Sequence, residues 1–236
     1  MTKYLFDPPA NPIVKIAGEE LWYPVRRVFC VGRNYEAHAK EMGAEVDREE
    51  PWYFNKSAHM IQMAIPGTGT TQPYPPCTEN YHHEMEMVVA MGKGGFRIPK
   101  DKALDYVYGY ACGLDMTRRD LQQVAKDKRR PWDIGKDVEN AAVMGEIVPV
   151  TKCGHPKTGR IWLTVNGEIR QDQDLADLIW SVPEIISHLS KYYHLEQGDL
   201  IYSGTPSGVG PVVAGDKIEG HVEGLPSLEV TITPAE

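Results

Sequence analysis

Two acidic side chains within residues 82–89 have the spacing expected of a metal site. Glu84 and Glu86 are two residues apart, so on a β-strand both project from the same side, one pleat apart. Carboxylates held that close repel each other unless a proton or a cation lies between them. Carboxylate oxygens are ligands that Mg²⁺ and Mn²⁺ prefer. The pair therefore predicts a divalent-metal site.

A simpler interpretation of the same pair stays open. Acids spaced two apart also occur on the solvated face of a half-exposed strand, opposite Lys or Arg. Residues 88–91 read Val-Val-Ala-Met, and this apolar continuation favours a core strand. So short a motif does not by itself choose between the two interpretations.

A third carboxylate follows another predicted strand, at residues 107–114. Asp115 comes at the C-terminal end of this strand, just before a helix that we expect to start at Thr117 with Asp120 in capping-box spacing. As an oxygen ligand it would complete a triad with Glu84 and Glu86 and leave coordination positions for water and substrate. The alternative role for Asp115 is a helix N-cap.

His38 and Glu41 are candidates for acid–base chemistry. They are three residues apart on a helix predicted over 34–42, with Asn34 as N-cap, so they share a face. A carboxylate beside an imidazole raises its basicity and fixes its tautomer, as a general base that activates water requires. A surface helix pair is the alternative.

The glycine-rich segment 204–210 lacks the Lys-Ser/Thr ending of a phosphate loop. It is typical either of a turn that presents backbone N–H groups and the Thr205 hydroxyl to an anion, or of an ordinary loop between strands. The chain contains no Gly-x-Ser-x-Gly elbow, and its cysteines have no catalytic setting. Nucleophilic catalysis by Ser or Cys is therefore disfavoured.

Composition narrows the class of protein. The 236 residues are 42% hydrophobic and 25% charged, which is ordinary for a soluble globular protein. The formal net charge of −8 disfavours nucleic acid and anionic membrane surfaces as partners. We expect neither a membrane span nor an export signal, since we find no stretch of eighteen apolar residues and no basic–apolar–small pattern at residues 1–4. The four scattered cysteines predict reduced thiols in a cytoplasmic protein.

The pattern of elements predicts a β-rich mixed α+β fold. Hairpins are expected at 13–25 and at 161–170, the second around Asn166-Gly167, and a helix at 182–193. Many strands, few helices and no βαβ alternation favour this class. The basic run 126–130 is expected to close a helix. Residues 43–51 are polar and could form a mobile loop. We expect a short N-terminal extension with a hairpin (1–27) and one catalytic domain (28–236).

Together these motifs resemble the fumarylacetoacetate hydrolase superfamily, in particular its short acylpyruvate-hydrolase-like branch. The matching stretches follow the family's order and cover nearly the whole chain from Val28 onward. They are residues 31–35 with His38 and Glu41, 81–86, 113–122, 131–132 with 135–136, 165–168, 199–201 and 204–210.

This resemblance implies a β-roll or β-sandwich with a few peripheral helices, usually as a homodimer. It implies one Mg²⁺ or Mn²⁺ ion per subunit, with Glu84, Glu86 and Asp115 as ligands. It further implies that the helix with His38 and Glu41 belongs to a lid over the substrate. The residues expected to bind a small anionic 2-oxo acid are Arg33, Lys56, Arg119, Gln122, Lys136 and Thr205.

The first functional hypothesis is a metal-dependent hydrolase that cleaves a C–C bond in acylpyruvates, with fumarylpyruvate giving fumarate and pyruvate. His38, oriented by Glu41, would activate water, and Lys136 would stabilise the pyruvate enolate. A decarboxylase or isomerase of 2-oxo or 2-hydroxy-dienoic diacids, including an oxaloacetate decarboxylase, would share that enolate. The third hypothesis is a non-catalytic metal- or ligand-binding protein, against which the presence of His38 and Glu41 argues.

Overall fold

The computed structural model describes residues 2–43 and 48–235, so residues 44–47 of the loop predicted at 43–51 lie outside the described residues. The described residues form eighteen strands and five α-helices. The strands are β1 (Ile13–Lys15), β2 (Trp22–Pro24), β3 (Arg27–Val31), β4 (Tyr53–Lys56), β5 (Ile61–Met63), β6 (Thr71–Pro73), β7 (Tyr81–His83), β8 (Met85–Met91), β9 (Val107–Asp115), β10 (Thr117–Arg118), β11 (Ala142–Met144), β12 (Val148–Pro149), β13 (Arg160–Val165), β14 (Glu168–Asp174), β15 (Asp199–Tyr202), β16 (Gly210–Val212), β17 (Lys217–Val222) and β18 (Leu228–Thr233). The helices are α1 (Glu36–Glu41), α2 (Arg119–Asp127), α3 (Asp133–Lys136), α4 (Val150–Cys153) and α5 (Val182–Leu189).

The main sheet contains eight strands and carries the acidic segment at its centre. Seven of them run in the order β4-β3-β15-β8-β9-β11-β5, and β12 pairs with β9 beside them. Most neighbours are antiparallel, but β15 is parallel to β3 and β11 is parallel to β5. A second sheet has the order β14-β13-β17-β18-β6, and two smaller sheets pair β10-β7-β16 and β1-β2. The prediction of a β-rich mixed fold is confirmed.

Strand β8 is buried on both faces, which explains its continuous apolar sequence. Met87 and Val89 belong to the core that the main sheet shares with the second sheet. Val88 and Ala90 point the other way, into a core shared with the N-terminal hairpin. The predicted core strand is therefore confirmed.

Both predicted hairpins form. Strands β1 and β2 pair around residues 16–21, and the Tyr23 hydroxyl donates to the Met91 carbonyl at 2.8 Å, which ties the hairpin to the main sheet. The other hairpin joins β13 to β14 through Asn166 (φ 53°) and Gly167 (φ 82°), the left-handed pair that a type I′ turn requires. The division between an extension at 1–27 and a domain at 28–236 stays a prediction.

The predicted start of the first helix is wrong. Helix α1 begins at Glu36 with Tyr35 as its N-cap, and Asn34 does not cap it. The Asn34 amide instead donates to the carbonyls of Trp180 and Ser203, at 2.9 and 2.7 Å, and accepts from the Trp180 N–H at 2.7 Å. Because these partners come from distant parts of the chain, local capping chemistry does not reveal them.

Two other helix ends also differ from the prediction. Thr117 lies in β10, and α2 starts two residues later. Asp120 forms no capping box with Thr117; its carboxylate accepts hydrogen bonds from the Thr78 hydroxyl at 2.6 Å and the Glu79 N–H at 3.0 Å. Helix α5 ends at Leu189 rather than near Tyr193. The basic run 126–130 spans the end of α2, as predicted. Among the described residues, no helix is long and apolar enough to cross a membrane.

Candidate metal and substrate site

The three predicted acidic ligands meet on one face of the main sheet; we call Glu84, Glu86 and Asp115 the carboxylate cluster. Glu84 lies between β7 and β8, Glu86 on β8, and Asp115 at the end of β9. The Asp115 N–H donates to the Glu84 carbonyl at 2.9 Å, which sets these two residues opposite each other. One carboxylate oxygen from each residue lies within 4.8 Å of the others, and all three residues are buried. Neither a solvated strand face nor an N-cap describes this arrangement, since the N-cap of α2 is Arg118.

A glycine makes room for the cluster. Gly113 faces Glu86 across the β8–β9 pair. A Cβ at this position would lie 2.5 Å from Cγ2 of Val88 and 2.8 Å from the Tyr202 ring, closer than packed carbon atoms approach. Any other residue at position 113 would therefore displace the strands that carry the carboxylates.

Three cationic side chains surround the carboxylate cluster. The Lys136 ammonium donates to Glu84 Oε2 and to Asp115 Oδ2, both at 2.7 Å. The Arg119 guanidinium pairs with the other oxygen of Glu84, and Lys56 Nζ lies 2.9 Å from Asp115 Oδ1. Glu86 forms no ion pair within the described part of the chain and accepts a hydrogen bond from the Gly204 N–H at 2.6 Å. The carboxylates are therefore unequally neutralised.

This inequality separates the pKa values of the two glutamates. Burial raises the pKa of Glu84, but Lys136 and Arg119 outweigh it and hold that pKa well below the usual range. Burial and the neighbouring charges of Asp115 and Glu84 raise the pKa of Glu86 well above its usual range, although the Gly204 N–H opposes this. Without a cation, Glu86 is therefore the glutamate of the two whose protonated form the site favours.

The residues of the cluster fit a divalent cation. Asp115 Oδ1 is buried and has no hydrogen-bond partner among the described residues, because Lys56 approaches it outside hydrogen-bond geometry. The cluster offers three hard oxygen donors, which is the donor set that Mg²⁺ and Mn²⁺ take. One of them, Asp115 Oδ1, accepts no hydrogen bond among the described residues, and another belongs to Glu86, whose pKa is raised. A cation at this position would relieve the repulsion that raises the pKa of Glu86.

His38 and Glu41 lie together on α1, at the edge of the same pocket. The exposed fraction of the His38 side chain is only 7%, so a surface pair is excluded. His38 Nδ1 lies 3.2 Å from Glu41 Oε2, and the Gly208 N–H donates to Glu41 Oε1 at 3.0 Å. Burial lowers the pKa of His38, although the charge of Glu84 and the hydrogen bond from Glu41 oppose this. The imidazole is therefore neutral near pH 7 and can accept a proton.

The glycine-rich segment presents N–H groups to anions as predicted, but the anions are the protein's own carboxylates. Gly204 donates to Glu86, and Gly208 donates to Glu41. A Cβ on Gly204 (φ 103°) would lie 2.5 Å from the Asn34 Cβ, so the turn requires glycine here. The segment thereby connects the carboxylate cluster with the His38–Glu41 pair.

Gln171 is a buried residue that the sequence analysis missed. Its side-chain amide donates to Thr205 Oγ1 and to the Pro206 carbonyl, both at 2.8 Å, and its carbonyl accepts from the Met85 N–H at 2.9 Å. The Thr205 hydroxyl accepts from Gln171 and so keeps its own proton free to donate into the pocket. Gln171 thus positions Thr205 relative to the strand that carries Glu86.

The pocket above the carboxylate cluster encloses about 350 Å³, counting its open mouth. The predicted site residues that line it are Arg33, His38, Glu84, Glu86, Asp115, Arg119, Gln122, Lys136 and Thr205. The side-chain carbonyl of Gln122 accepts a hydrogen bond from Arg119 Nη1 at 2.7 Å. The rest of the lining consists of Val31, Gly32, Met42, Lys126 and an aromatic group of Trp52, Phe54 and Trp132.

Two predicted site residues lie behind the pocket surface. Glu41 does not line the pocket but pairs with His38, which does. The Lys56 ammonium is fully buried behind Asp115 and donates to the carbonyls of Met116, at 2.9 Å, and of Lys136. The structure therefore places Lys56 against the backbone of other site residues and not in the pocket lining.

Comparison with known proteins gives one consistent family. The family described as Fumarylacetoacetate (FAA) hydrolase C-terminal matches residues 27–233. A fumarylpyruvate hydrolase of Ralstonia sp is 54% identical over 83% of this chain and 100% of its own length. A mitochondrial oxaloacetate tautomerase of Homo sapiens is 41% identical over 91% of this chain and 95% of its own.

Solved structures agree with the sequence relatives. The crystal structure of fumarylpyruvate hydrolase from Pseudomonas aeruginosa, in complex with Mn²⁺ and pyruvate, superposes with a TM-score of 0.96 and 46% sequence identity. The match covers 99% of this chain and 100% of that one. The fold predicted from the motifs is confirmed, and a related chain of the same fold contains Mn²⁺.

Substitution of Glu86 by Gln tests the carboxylate cluster as a metal site. Because the raised pKa of Glu86 favours its neutral form without a cation, we expect the neutral isostere in Glu86→Gln to leave the metal-free unfolding free energy close to the wild-type value. Wild-type protein should gain about 2.7 kcal/mol at a Mn²⁺ concentration of a hundred times its Kd. The variant should gain much less, as measured by denaturant unfolding with Mn²⁺ and with chelator.

Glu168→Gln is the matched control, since the side chain of Glu168 is 75% exposed and pairs only with Arg170 among the described residues. It should respond to Mn²⁺ as the wild type does. Equal Mn²⁺ stabilisation of the Glu86→Gln variant and the wild type would show that the cluster does not hold the ion.

Proposed function

The chain belongs to the fumarylacetoacetate hydrolase family, and on this basis we propose that it hydrolyses a C–C bond of an acylpyruvate. The substrate is fumarylpyruvate, and the products are fumarate and pyruvate. The observation that carries the proposal is a buried, neutral imidazole paired with Glu41 beside a pocket whose floor is the carboxylate cluster. The 54% identity to a fumarylpyruvate hydrolase supports the choice of substrate.

Glu84, Glu86 and Asp115 hold the divalent ion in this proposal. When bound, the ion supplies a Lewis acid that polarises the pyruvoyl oxygens and favours negative charge on them. The protein contributes a rigid set of buried oxygens on neighbouring strands. Lys136 and Arg119 fix the orientation of Glu84, so the donor atoms are arranged before the substrate arrives.

His38 acts as the general base. Its Nδ1 faces Glu41, so in the neutral ring the proton stays on Nδ1 and Nε2 is free to accept one. His38 takes a proton from water, and the resulting hydroxide adds to the carbonyl of the acyl group. The C–C bond then breaks, which leaves a carboxylic acid and the enolate of pyruvate. The enolate takes up one proton at carbon, which balances the proton that His38 removed from water and returns His38 to its neutral form.

Lys136 stabilises the enolate in this scheme. Burial lowers the pKa of Lys136, but the charges of Asp115 and Glu84 outweigh it and raise the pKa above its usual value. The ammonium therefore stays charged throughout the reaction and faces the charge that develops. Arg119, Gln122 and the Thr205 hydroxyl orient the substrate, and α1 serves as the lid that excludes water.

A second candidate function shares the enolate but gives other products. The 41% identity to an oxaloacetate tautomerase supports isomerisation of a 2-oxo diacid, and decarboxylation of oxaloacetate belongs to the same class. The chemistry of the products separates these candidates. Hydrolysis gives fumarate and pyruvate, decarboxylation gives CO₂, and isomerisation conserves all the carbon atoms in one molecule.

The proposed activity predicts hydrolysis of fumarylpyruvate that depends on Mg²⁺ or Mn²⁺, is lost with chelator and releases equal amounts of fumarate and pyruvate. Replacing the base, as His38→Ala, should lower kcat about 10²–10⁴-fold. His59→Ala is the matched control, since His59 is exposed and lies away from the pocket, and it should retain activity. Products can be separated and quantified chromatographically.

Two results would contradict this proposal. Wild-type kcat in the His38→Ala variant would remove His38 as the base. Turnover of oxaloacetate with none of fumarylpyruvate would favour the second candidate.

The pH dependence tests how Glu41 acts on His38. Since burial lowers the pKa of His38, we expect kcat/KM to fall only as the pH drops below about 6.5, the unperturbed value. Glu41 raises the pKa of His38, so Glu41→Gln should move this acid limb to still lower pH and reduce the maximal rate. Rates would be measured across the acid range with Mn²⁺ kept saturating. An acid limb that moves to higher pH would contradict the proposed pairing.

We further propose that the chain forms a homodimer in a reducing, cytoplasmic compartment. Exposed apolar side chains on the N-terminal hairpin, Leu21 (69% exposed) and Trp22 (48% exposed), support contact with a second copy. All four cysteines are free, which supports a reducing compartment. Light scattering should give twice the chain mass of 26.5 kDa. A mass of one chain over the working concentration range would contradict the dimer.

A further inference from the structure

Two cations lie in the pocket lining away from the ion pairs of the carboxylate cluster. Arg33 and Lys126 both line the pocket and are half-buried. The Arg33 guanidinium lies 5.9 Å from the Trp52 ring centre, and the Lys126 ammonium lies 5.1 Å from that of Trp132. These two rings, the tryptophan pair, meet edge to face with centres 4.9 Å apart. One aromatic unit thus holds both cations at the pocket.

Neither cation has an anionic partner in the described part of the chain. Lys136, Arg119 and Lys56 each pair with a carboxylate of the cluster. Within residues 2–43 and 48–235, by contrast, the side chains of Arg33 and Lys126 form neither an ion pair nor a hydrogen bond. The cations of the pocket floor therefore pair with carboxylates, whereas Arg33 and Lys126 leave unpaired positive charge elsewhere in the lining.

The pKa of Lys126 reflects this excess. Burial, followed by the neighbouring charges of Arg119 and Arg33, lowers it to about 8. A half-buried ammonium that other cations destabilise is stabilised by an anion that binds between them. The proteins that this chain resembles act on small carboxylic acids, so a carboxylate is the anion to consider.

The backbone around Arg33 is built to hold this arrangement. Arg33 adopts a left-handed conformation, φ 53°, which is uncommon for a residue other than glycine. A Cβ on the preceding Gly32 would lie 2.1 Å from the Trp52 ring. Gly32 therefore allows Trp52 to pack directly on the chain beside Arg33. Strained residues of this kind concentrate at ligand sites.

We propose that Lys126, together with Arg33, binds the distal carboxylate of the substrate and makes the enzyme selective for acylpyruvates whose acyl group ends in a carboxylate. This inference rests on the proposed function, since it assigns one end of the same substrate. The pyruvoyl end lies at the carboxylate cluster, and the planar fumaryl chain extends along the tryptophan pair. Lys126 is then a specificity-determining residue that takes no part in the chemical step.

The test compares two substrates that differ at the distal end. Fumarylpyruvate carries a distal carboxylate, and acetylpyruvate carries a methyl group. We expect Lys126→Met to lower the ratio of kcat/KM for fumarylpyruvate over acetylpyruvate about 10–100-fold, which corresponds to one lost hydrogen bond between charged groups. Most of the change should lie in KM for fumarylpyruvate. Lys126→Arg should restore most of the ratio.

Lys128→Met is the matched control, because it removes the same charge two residues away, at an exposed position outside the pocket lining. It should keep the wild-type ratio, which separates direct binding from general attraction of anions. Equal losses for the two substrates in Lys126→Met would overturn the inference, and so would an equal change of the ratio in Lys128→Met.

A binding measurement keeps the inference testable apart from the proposed function. If the wild type hydrolyses neither substrate, the proposed function fails. Titration calorimetry with fumarate and crotonate then decides the inference, because crotonate has a methyl group where fumarate has its second carboxylate. Wild-type preference for fumarate that is lost in Lys126→Met would support it. The same preference in both proteins, or none in the wild type, would overturn it.

Discussion

Mutual repulsion among three buried carboxylates is the constraint on which the rest of the site depends. Glu84, Glu86 and Asp115 converge because two neighbouring strands hold them on one face, and burial removes the water that would screen them. Lys136 from α3 and Arg119 from α2 neutralise part of this charge. Each helix is thus held at the sheet by ion pairs as well as by packing, and the charge that remains favours a divalent cation.

The distribution of charge also explains how an acidic protein can accept an anionic substrate. The chain carries a formal net charge of −8, yet the carboxylate cluster contacts three cations of its own, and Arg33 and Lys126 add positive charge to the same pocket. A bound divalent ion makes the pocket more positive still. A substrate with two carboxylates balances this charge, whereas a neutral ligand would not.

Local geometry determined which features could be predicted from the sequence. The two-residue spacing of Glu84 and Glu86 and the position of Asp115 at a strand end follow from the strand repeat alone. The inward position of Gln171 could not be predicted from strand alternation. The pairing of β13 with β14 is irregular at Leu163, and such an irregularity changes which face a side chain occupies. Lys126 was assigned with its basic neighbours to the end of a helix, since only the folded chain brings it against Trp132. Its role depends on contacts between residues that no local pattern links.

Anomalous diffraction from crystals grown with Mn²⁺ tests the central claim most directly. A map calculated at the manganese absorption edge locates the ion without assumptions about its ligands. We predict one strong peak in contact with a carboxylate oxygen from each of Glu84, Glu86 and Asp115. Well-ordered crystals in which these carboxylates contact only Lys136, Arg119 and backbone, while manganese lies elsewhere or nowhere in the chain, would contradict it.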